Sequence, residues 1–248
     1  MKRKERHHLK ENELIHTIEN LRDVFERRQR DVAIAVIALV VIAAVIVGVM
    51  VIRQRNESRG VDLLAEAMVA LNVQVVPAGV SGGEDDLPAS ASLGATGSFS
   101  TEEAKLLAAL PKLQAAADAY PDSDAGVTAR YHLAGAYAAL GRHDEAVKEF
   151  DDVAARVGAD ALYGRMARLG KAETQANAGQ LDAAIAAWVA MAAVETPDLP
   201  VDAILMRLAR AYVEKGEPEE ARKTLTQVID QHPNSPYAQT AQSELDAL

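Results

Sequence analysis

The sequence predicts an all-α protein in which a single N-terminal transmembrane helix is followed by an α-solenoid of helix hairpins. Three observations predict this fold class. An uninterrupted apolar segment occupies residues 32–52. Glycine, alanine and large apolar residues recur every 37–38 residues in the C-terminal half. Aromatic residues make up only 4% of the chain, which favours closely packed helices over a β-sandwich.

The apolar segment reads VAIAVIALVVIAAVIVGVMVI and contains no charged or polar side chain. As a helix it would be about 31 Å long, which matches the hydrocarbon core of a bilayer. A secretory signal peptide would have a shorter apolar core and a small-residue cleavage site soon after it, whereas Arg53-Gln54-Arg55 follows here. We therefore predict an uncleaved anchor at residues 32–52. Because the chain has no cysteine, a lipid-bearing cysteine, disulfides and thiolate metal sites are excluded.

The distribution of basic residues predicts the orientation of this anchor. Nine Lys and Arg residues precede it in residues 1–31, and only Arg53, Arg55 and Arg59 follow it within a comparable distance. The positive-inside rule keeps the N-terminus in the cytoplasm and exports the C-terminal part. Within the basic segment 1–31, residues 11–30 have apolar residues at helical spacing. They form either an amphipathic docking helix or a short helix that continues the anchor.

Two clear hairpin units and a weaker one carry the repeat. The clearest unit starts with Tyr131 and has Leu133, Ala134 and Tyr137 on one helical face, a break at Gly141, and a second helix. The same pattern returns around Gly216, and a weaker copy surrounds Gly179. In every unit an alanine on the first helix is followed twelve residues later by an alanine on the second. These pairs are Ala134 and Ala146, Ala172 and Ala184, and Ala209 and Ala221.

The remaining segments complete the predicted domain organisation. Residues 53–76 form a helix leaving the membrane, whose later part pairs with residues 101–119 as a split hairpin that Pro111 kinks or divides. Residues 77–100 are rich in Gly, Ser, Ala and acidic residues, which predicts a flexible loop. Residues 101–248 form the repeats, which end in a capping helix starting at Pro236.

The repeated units resemble the tetratricopeptide repeat, a helix-turn-helix motif, over roughly half of the chain. In that family the first helices line the partner-binding face, so the resemblance implies which residues would contact a partner. The implied set is Thr128, Tyr131, His132, Met166, Leu169, Glu173, Asn177, Met206, Arg207, Arg210 and Val213. For the apolar members, completion of the core between repeats is an equal alternative. We expect Arg207 and Arg210 to distinguish best between a partner-binding surface and the core, since charged groups seldom lie buried unpaired.

The whole arrangement of basic N-terminus, one anchor and alanine-rich repeats resembles the bacterial ancillary Sec-translocon subunit family. That resemblance implies an inner-membrane protein with a periplasmic repeat domain, which serves as a scaffold for membrane complex subunits, chaperones or exported polypeptides. The C-terminal HPNSPYAQTAQSEL is also similar to units of cell-division coordinators and outer-membrane assembly lipoproteins. A structural adaptor of such an envelope complex is therefore the alternative function.

Several other function classes are excluded or disfavoured. No HExxH, P-loop, GxSxG or helix-opening GxGxxG motif is present, so we predict no enzyme, no cofactor, no metal and no small-molecule substrate. Residues 53–248 hold 17 basic against 29 acidic residues, which disfavours nucleic-acid binding. Paired acids such as Asp151-Asp152 are predicted to be solvated helix faces.

Overall fold

The computed structural model describes residues 29–76, 98–194 and 200–248. The predicted cytoplasmic helix 11–30 and most of the predicted loop 77–100 therefore lie outside the described residues. The chain divides into two units, Met1–Arg55 and Asn56–Leu248. Within the described residues of the first unit, the apolar side chains are exposed.

The first described element is one helix, α1, which runs from Gln29 to Asn72. Its apolar window is the one stretch of the described residues that is long and apolar enough to cross a membrane, with a mean hydropathy of 3.3 and none of it buried. Length and composition qualify this helix as either a membrane span or a signal sequence.

The second unit consists of consecutive helices that pack in chain order. After the end of α1 come eight further described helices. They are α2 (Glu102–Ala119), α3 (Asp124–Ala139), α4 (His143–Val157), α5 (Leu162–Asn177), α6 (Leu181–Ala192), α7 (Val201–Lys215), α8 (Pro218–Gln231) and α9 (Ala238–Asp246). The described residues contain no strand, and the all-α solenoid prediction is confirmed.

Each of the three full hairpins turns at a glycine with the same backbone geometry. Gly141, Gly179 and Gly216 have φ of 72°, 76° and 82°, a left-handed conformation that glycine adopts without a Cβ penalty. The next residue then donates its N–H to the carbonyl five positions back, as in Glu217 N to Tyr212 O at 2.8 Å. The equivalent bonds after Gly141 and Gly179 are 2.9 and 2.8 Å. This Schellman-type closure satisfies carbonyls at the helix end and reverses the chain.

The predicted alanine pairs lie inside the hairpins. All six alanines are 0% exposed, so small side chains stand where the two helices of each unit come together. Larger residues such as Phe150, Trp188 and Leu225 are buried beside them and fill the space between units. One unit could not bury this surface alone, which is why the units stack.

Residues from both predicted parts of the split first hairpin share a hydrophobic core. Ala67 and Ala70, near the end of α1, share a core cluster with Leu106, Ala109 and Leu113 of α2 and its neighbours. The carboxylate of Glu57 accepts the backbone N–H groups of Asp124 and Ala125 at 2.9 and 3.1 Å. This carboxylate caps the N-terminus of α3, where a negative charge is favourable.

The structure refines three sequence predictions. Of the two outcomes predicted for Pro111, division of the helix does not occur, since Pro111 lies inside α2; a proline forfeits only one helical hydrogen bond and buried neighbours hold both halves. Of the predicted loop 77–100, the described residues 98–100 are partly ordered by pairing: Val76 N donates to Phe99 O at 2.9 Å, and Phe99 N donates to Gln74 O at 3.0 Å. The capping helix α9 begins at Ala238 rather than Pro236.

Candidate functional site

The predicted partner-binding residues lie on α3, α5 and α7, the first helices of three hairpins. We call the surface of α3, α5 and α7 that carries them the first-helix face. Asn177, Arg210 and Val213 are exposed on it. The partly exposed members of the predicted set are Thr128, Tyr131, His132, Met166, Leu169, Glu173 and Arg207.

Met206 does not belong to this surface, and its assignment to the partner-binding set is corrected. Its side chain is 2% exposed and lies in the core cluster with Trp188 and Leu205. The reason is that α7 packs against both α6 and α8, so that a run of its residues from Ala203 to Met206 is buried. Leu169 is half-buried against the same cluster. Both side chains contribute to the core between repeats.

An aromatic group joins the first and second full units. The Tyr131 ring meets Phe150, Tyr163 and His132 edge-on, with centroids 5.8, 5.6 and 5.6 Å apart. Burial, and then the negative charge of Glu173, raise the pKa of Tyr131 above its ordinary value. Burial lowers the pKa of His132, because the charged imidazolium is less well solvated there. The group is a packing contact whose polar tips reach the surface.

Each charged member of the predicted set pairs with an oppositely charged residue on another helix. Glu173 on α5 accepts from Arg207 on α7, and Arg210 on α7 donates to Glu244 on α9 at 2.6 and 3.0 Å. Each pair joins residues 34 positions apart. We expected Arg207 and Arg210 to discriminate partner binding best, but each already has a carboxylate partner. Opposite charges about one repeat apart were the sequence signal that could have revealed these pairs.

The exposed part of the first-helix face combines uncharged residues on α3 and α5 with charged ones on α7, where Glu214 is exposed at the place that Ala139 and Asn177 hold in their helices. Gly135 and Ala139 are exposed on α3, and no side chain or neighbouring helix lies within 4 Å of a Cβ placed on Gly135. Asn177 on α5 and Val213 on α7, the latter 45% exposed, continue this surface. Sequence reasoning missed Gly135 and Ala139 because small residues carry no chemistry of their own. We call these four residues the uncharged strip.

A buried arginine holds the first full unit together. Arg130 on α3 is 9% exposed, and its guanidinium donates to Glu149 at 2.6 Å and to Asp118 at 2.7 Å. Its Nε lies 3.0 Å from Asp152 Oδ2, outside hydrogen-bonding alignment. Asp152 also accepts from Arg156 at 2.8 Å. Asp151 lies on a solvated face as predicted, since its side chain is 55% exposed while it pairs with Lys171 at 2.7 Å. Asp152 is less exposed, at 35%, because it lies between Arg130 and Arg156.

No group of three or more His, Asp or Glu side chains with metal-binding geometry occurs in the described ranges. Many ionised groups of the repeats are engaged in pairs within and between helices.

Comparisons with known proteins identify the repeats. Residues 103–162 and 201–245 each match a family model of the tetratricopeptide repeat. Two similar crystal structures are the nearly identical TPR-like repeats of a Podosopora anserina protein described as a kinesin light chain, and a variant of the same repeats. Each is 22% identical with a TM-score of 0.50, covering 57% of this chain and 76% of that chain. At this identity the likeness supports the fold alone. A comparison with curated proteins finds no match.

The chain therefore contains tetratricopeptide repeats. Repeats of this class are generally non-enzymatic scaffolds that bind other proteins, because a stacked array of helix pairs presents an extended surface. The repeats therefore imply a protein–protein interaction scaffold.

Proposed function

We propose that the repeats bind a segment of another polypeptide on the first-helix face. The observation that carries this proposal is the uncharged strip of Gly135, Ala139, Asn177 and Val213, which is exposed on three successive first helices. Small residues allow close approach of a second backbone, and Asn177 offers hydrogen bonds to it. Glu173, Arg207 and Arg210 beside this strip are paired, and the exposed Glu214 next to Val213 would repel an acidic segment. An apolar or small-residue segment therefore suits this surface better than an acidic one.

Val213→Asp tests the first-helix face. We expect this substitution to lower partner capture by about tenfold, because an unpaired carboxylate would be desolvated in the interface. The measurement is the yield of crosslinks from a photoreactive residue placed at Asn177 in the full chain in membranes. Leu107→Asp is the matched control, since Leu107 is similarly exposed at 51% but lies on the second helix α2. Equal yields from the two variants would remove Val213 from the interface.

We further propose that α1 anchors the chain in a bacterial inner membrane with residues 1–31 in the cytoplasm and the repeats in the periplasm. Support comes from the uncharged segment 32–52 and from the nine basic residues that precede it against three that follow. In this arrangement residues 53–76 leave the membrane and enter the first hairpin, and the proposed loop 77–97 interrupts that hairpin.

Protease accessibility tests this topology. Protease added to spheroplasts is expected to remove a tag at the C-terminus and to spare a tag at the N-terminus, because only the exported side is reachable. Permeabilised cells, in which both tags should be digested, provide the control. Loss of the N-terminal tag alone from intact spheroplasts would reverse the proposed orientation. Release of the repeats as a free soluble fragment would show instead that the segment is cleaved as a signal.

The finer role we propose is that of an ancillary subunit serving the Sec translocon and periplasmic chaperones, supported by the resemblance in architecture. The alternative is a structural adaptor of a cell-division or outer-membrane assembly complex. Crosslinking in intact membranes, followed by identification of the partners, separates the two. Translocon subunits or exported polypeptides would favour the first role, and envelope-assembly proteins alone would favour the second.

A further inference from the structure

Two arginines occupy equivalent positions in successive repeats. Arg130 on α3 and Arg168 on α5 each lie four residues before a fully buried alanine, Ala134 and Ala172. The surroundings of Arg130 are known in detail: Asp118 on α2 and Glu149 on α4 accept its hydrogen bonds, and Asp152 on α4 lies beside its Nε. The first full unit thus encloses its arginine with three carboxylates.

The next unit keeps the arginine but lacks all three carboxylates. The buried residues Leu113, Phe150 and Trp188 occupy the same place in successive second helices, each four positions after a 0% exposed alanine. When the second helices are aligned on these three residues, Asp118 corresponds to Ala155, Glu149 to Ala187 and Asp152 to Ala190.

Arg168 has no neutralising partner within the described ranges 29–76, 98–194 and 200–248. Its side chain is partly exposed, and no hydrogen bond or ion pair joins it to another residue there. Nearby acids of α4 are already engaged, Asp151 with Lys171 and Asp152 with Arg156. The register of the repeats therefore assigns alanines to the positions where the first unit has its three carboxylates, and it leaves Arg168 available to a carboxylate from outside the chain.

We propose that Arg168, Ala155, Ala187 and Ala190 form a docking site for a helical segment of a partner protein that carries Glu and Asp three residues apart. The partner's two carboxylates take the places that Glu149 and Asp152 hold around Arg130. The alanines leave room for the partner's helix, and the guanidinium supplies charge-assisted hydrogen bonds in a domain that is otherwise acidic. Arg168 and Glu173 lie five residues apart on α5, about 140° around the helix, so this site is separate from the first-helix face.

A substitution within the repeats tests whether the Arg168 guanidinium can reach the position of Ala190. Ala190→Asp supplies from within the carboxylate that the first unit has as Asp152. We expect Ala190→Asp to change the melting temperature of the full chain more favourably in the wild-type background than in the Arg168→Gln background. A helix-propensity penalty from aspartate is common to both backgrounds and cancels in this double-mutant cycle. An equal effect in the two backgrounds would show that Arg168 does not face Ala190 and would overturn the proposal.

A peptide titration tests binding from outside. The probe is a fluorescein-labelled, alanine-rich helical peptide with Glu and Asp three residues apart, titrated with the full chain in detergent micelles. The matched probe carries Gln and Asn instead. We expect the acidic probe to bind at least about tenfold more tightly than its amide counterpart, and both Arg168→Gln and Ala190→Asp to remove that difference.

Arg142→Gln is the control variant for the titration, because Arg142 is exposed and pairs with Glu145 of its own turn at 2.7 Å. It should leave the preference for the acidic probe unchanged. Equal binding of the two probes, absence of binding, or an undiminished preference in Arg168→Gln would each overturn the docking site. Because Val213 lies on the first-helix face, the result is independent of the crosslinking test of that face.

Discussion

Replacing Arg130 with methionine is expected to lower the free energy of unfolding of the repeats by about 3 kcal/mol. Arg130 is 9% exposed and lies among Asp118, Glu149 and Asp152. Methionine keeps the apolar length of the side chain, but it leaves Asp118 and Glu149 without a cation, and Asp152 with Arg156 alone. Glu149 bears most of this cost because its side chain is only 15% exposed, so that water can stabilise its charge only in part.

The measurement is denaturant unfolding followed by the fluorescence of Trp188, the sole tryptophan of the chain, which is 3% exposed between the repeats. Arg142→Met is the control, because its pair with Glu145 is exposed on both sides and solvent screens such a pair, so that its loss should change stability little. Adding Glu149→Gln to Arg130→Met should restore part of the lost stability. Strictly additive losses in the double variant would show that the two side chains are not coupled.

Gly126→Ala is expected to destabilise the repeats by about 3 kcal/mol, since close-packed sites tolerate added atoms poorly. A Cβ on Gly126 would lie 2.0 Å from the carbonyl oxygen of Tyr120 and 2.8 Å from its carbon. Both are backbone atoms of the turn before α3, so the clash cannot be relieved by rotating a side chain. Gly164, at the equivalent place in α5, has the same relation to the oxygen of Gly158 at 2.0 Å, and the same loss is expected there.

Gly135→Ala is the matched control on the same helix as Gly126. Nothing lies within 4 Å of its added Cβ outside the backbone of α3, and the site is exposed. Alanine should therefore stabilise α3 by up to about 1 kcal/mol through its higher helix propensity. Thermal melting of the two variants checks both signs. A Gly126→Ala variant as stable as Gly135→Ala would mean that the turn at Tyr120 shifts freely to admit a methyl group.

The hairpin architecture could be predicted because its signals are local. Three helices end at Gly141, Gly179 and Gly216, where the chain makes a left-handed turn closed by a hydrogen bond. That turn and its hydrogen bond involve only six consecutive residues. The paired alanines are separated by only twelve positions, so two helices and a short turn bring them together without further knowledge of the fold. The signal for the apolar segment 32–52 is equally local, because its own residues show its length and its lack of polar side chains.

The candidate site was predicted less completely, because its charges act between repeats. The first-helix face follows from the resemblance to the repeat family, and binding to it stays a prediction. Arg207 and Arg210 look available in sequence, yet Glu173 and Glu244 lie one repeat away and reach them. Met206 likewise looks available until α6 and α8 pack on α7 and bury it.

By itself the sequence determined the helical class, the hairpin boundaries and the alanine contacts, since each depends on residues fewer than about twenty positions apart. Only the tertiary structure decided which polar side chains are partnered. Arg130 and Arg168 stand at the same place in their repeats, and one is enclosed by carboxylates while the other is not. The physical reason is that a salt bridge depends on a few ångströms of separation between side chains from different helices, and stacking of whole repeats sets that separation.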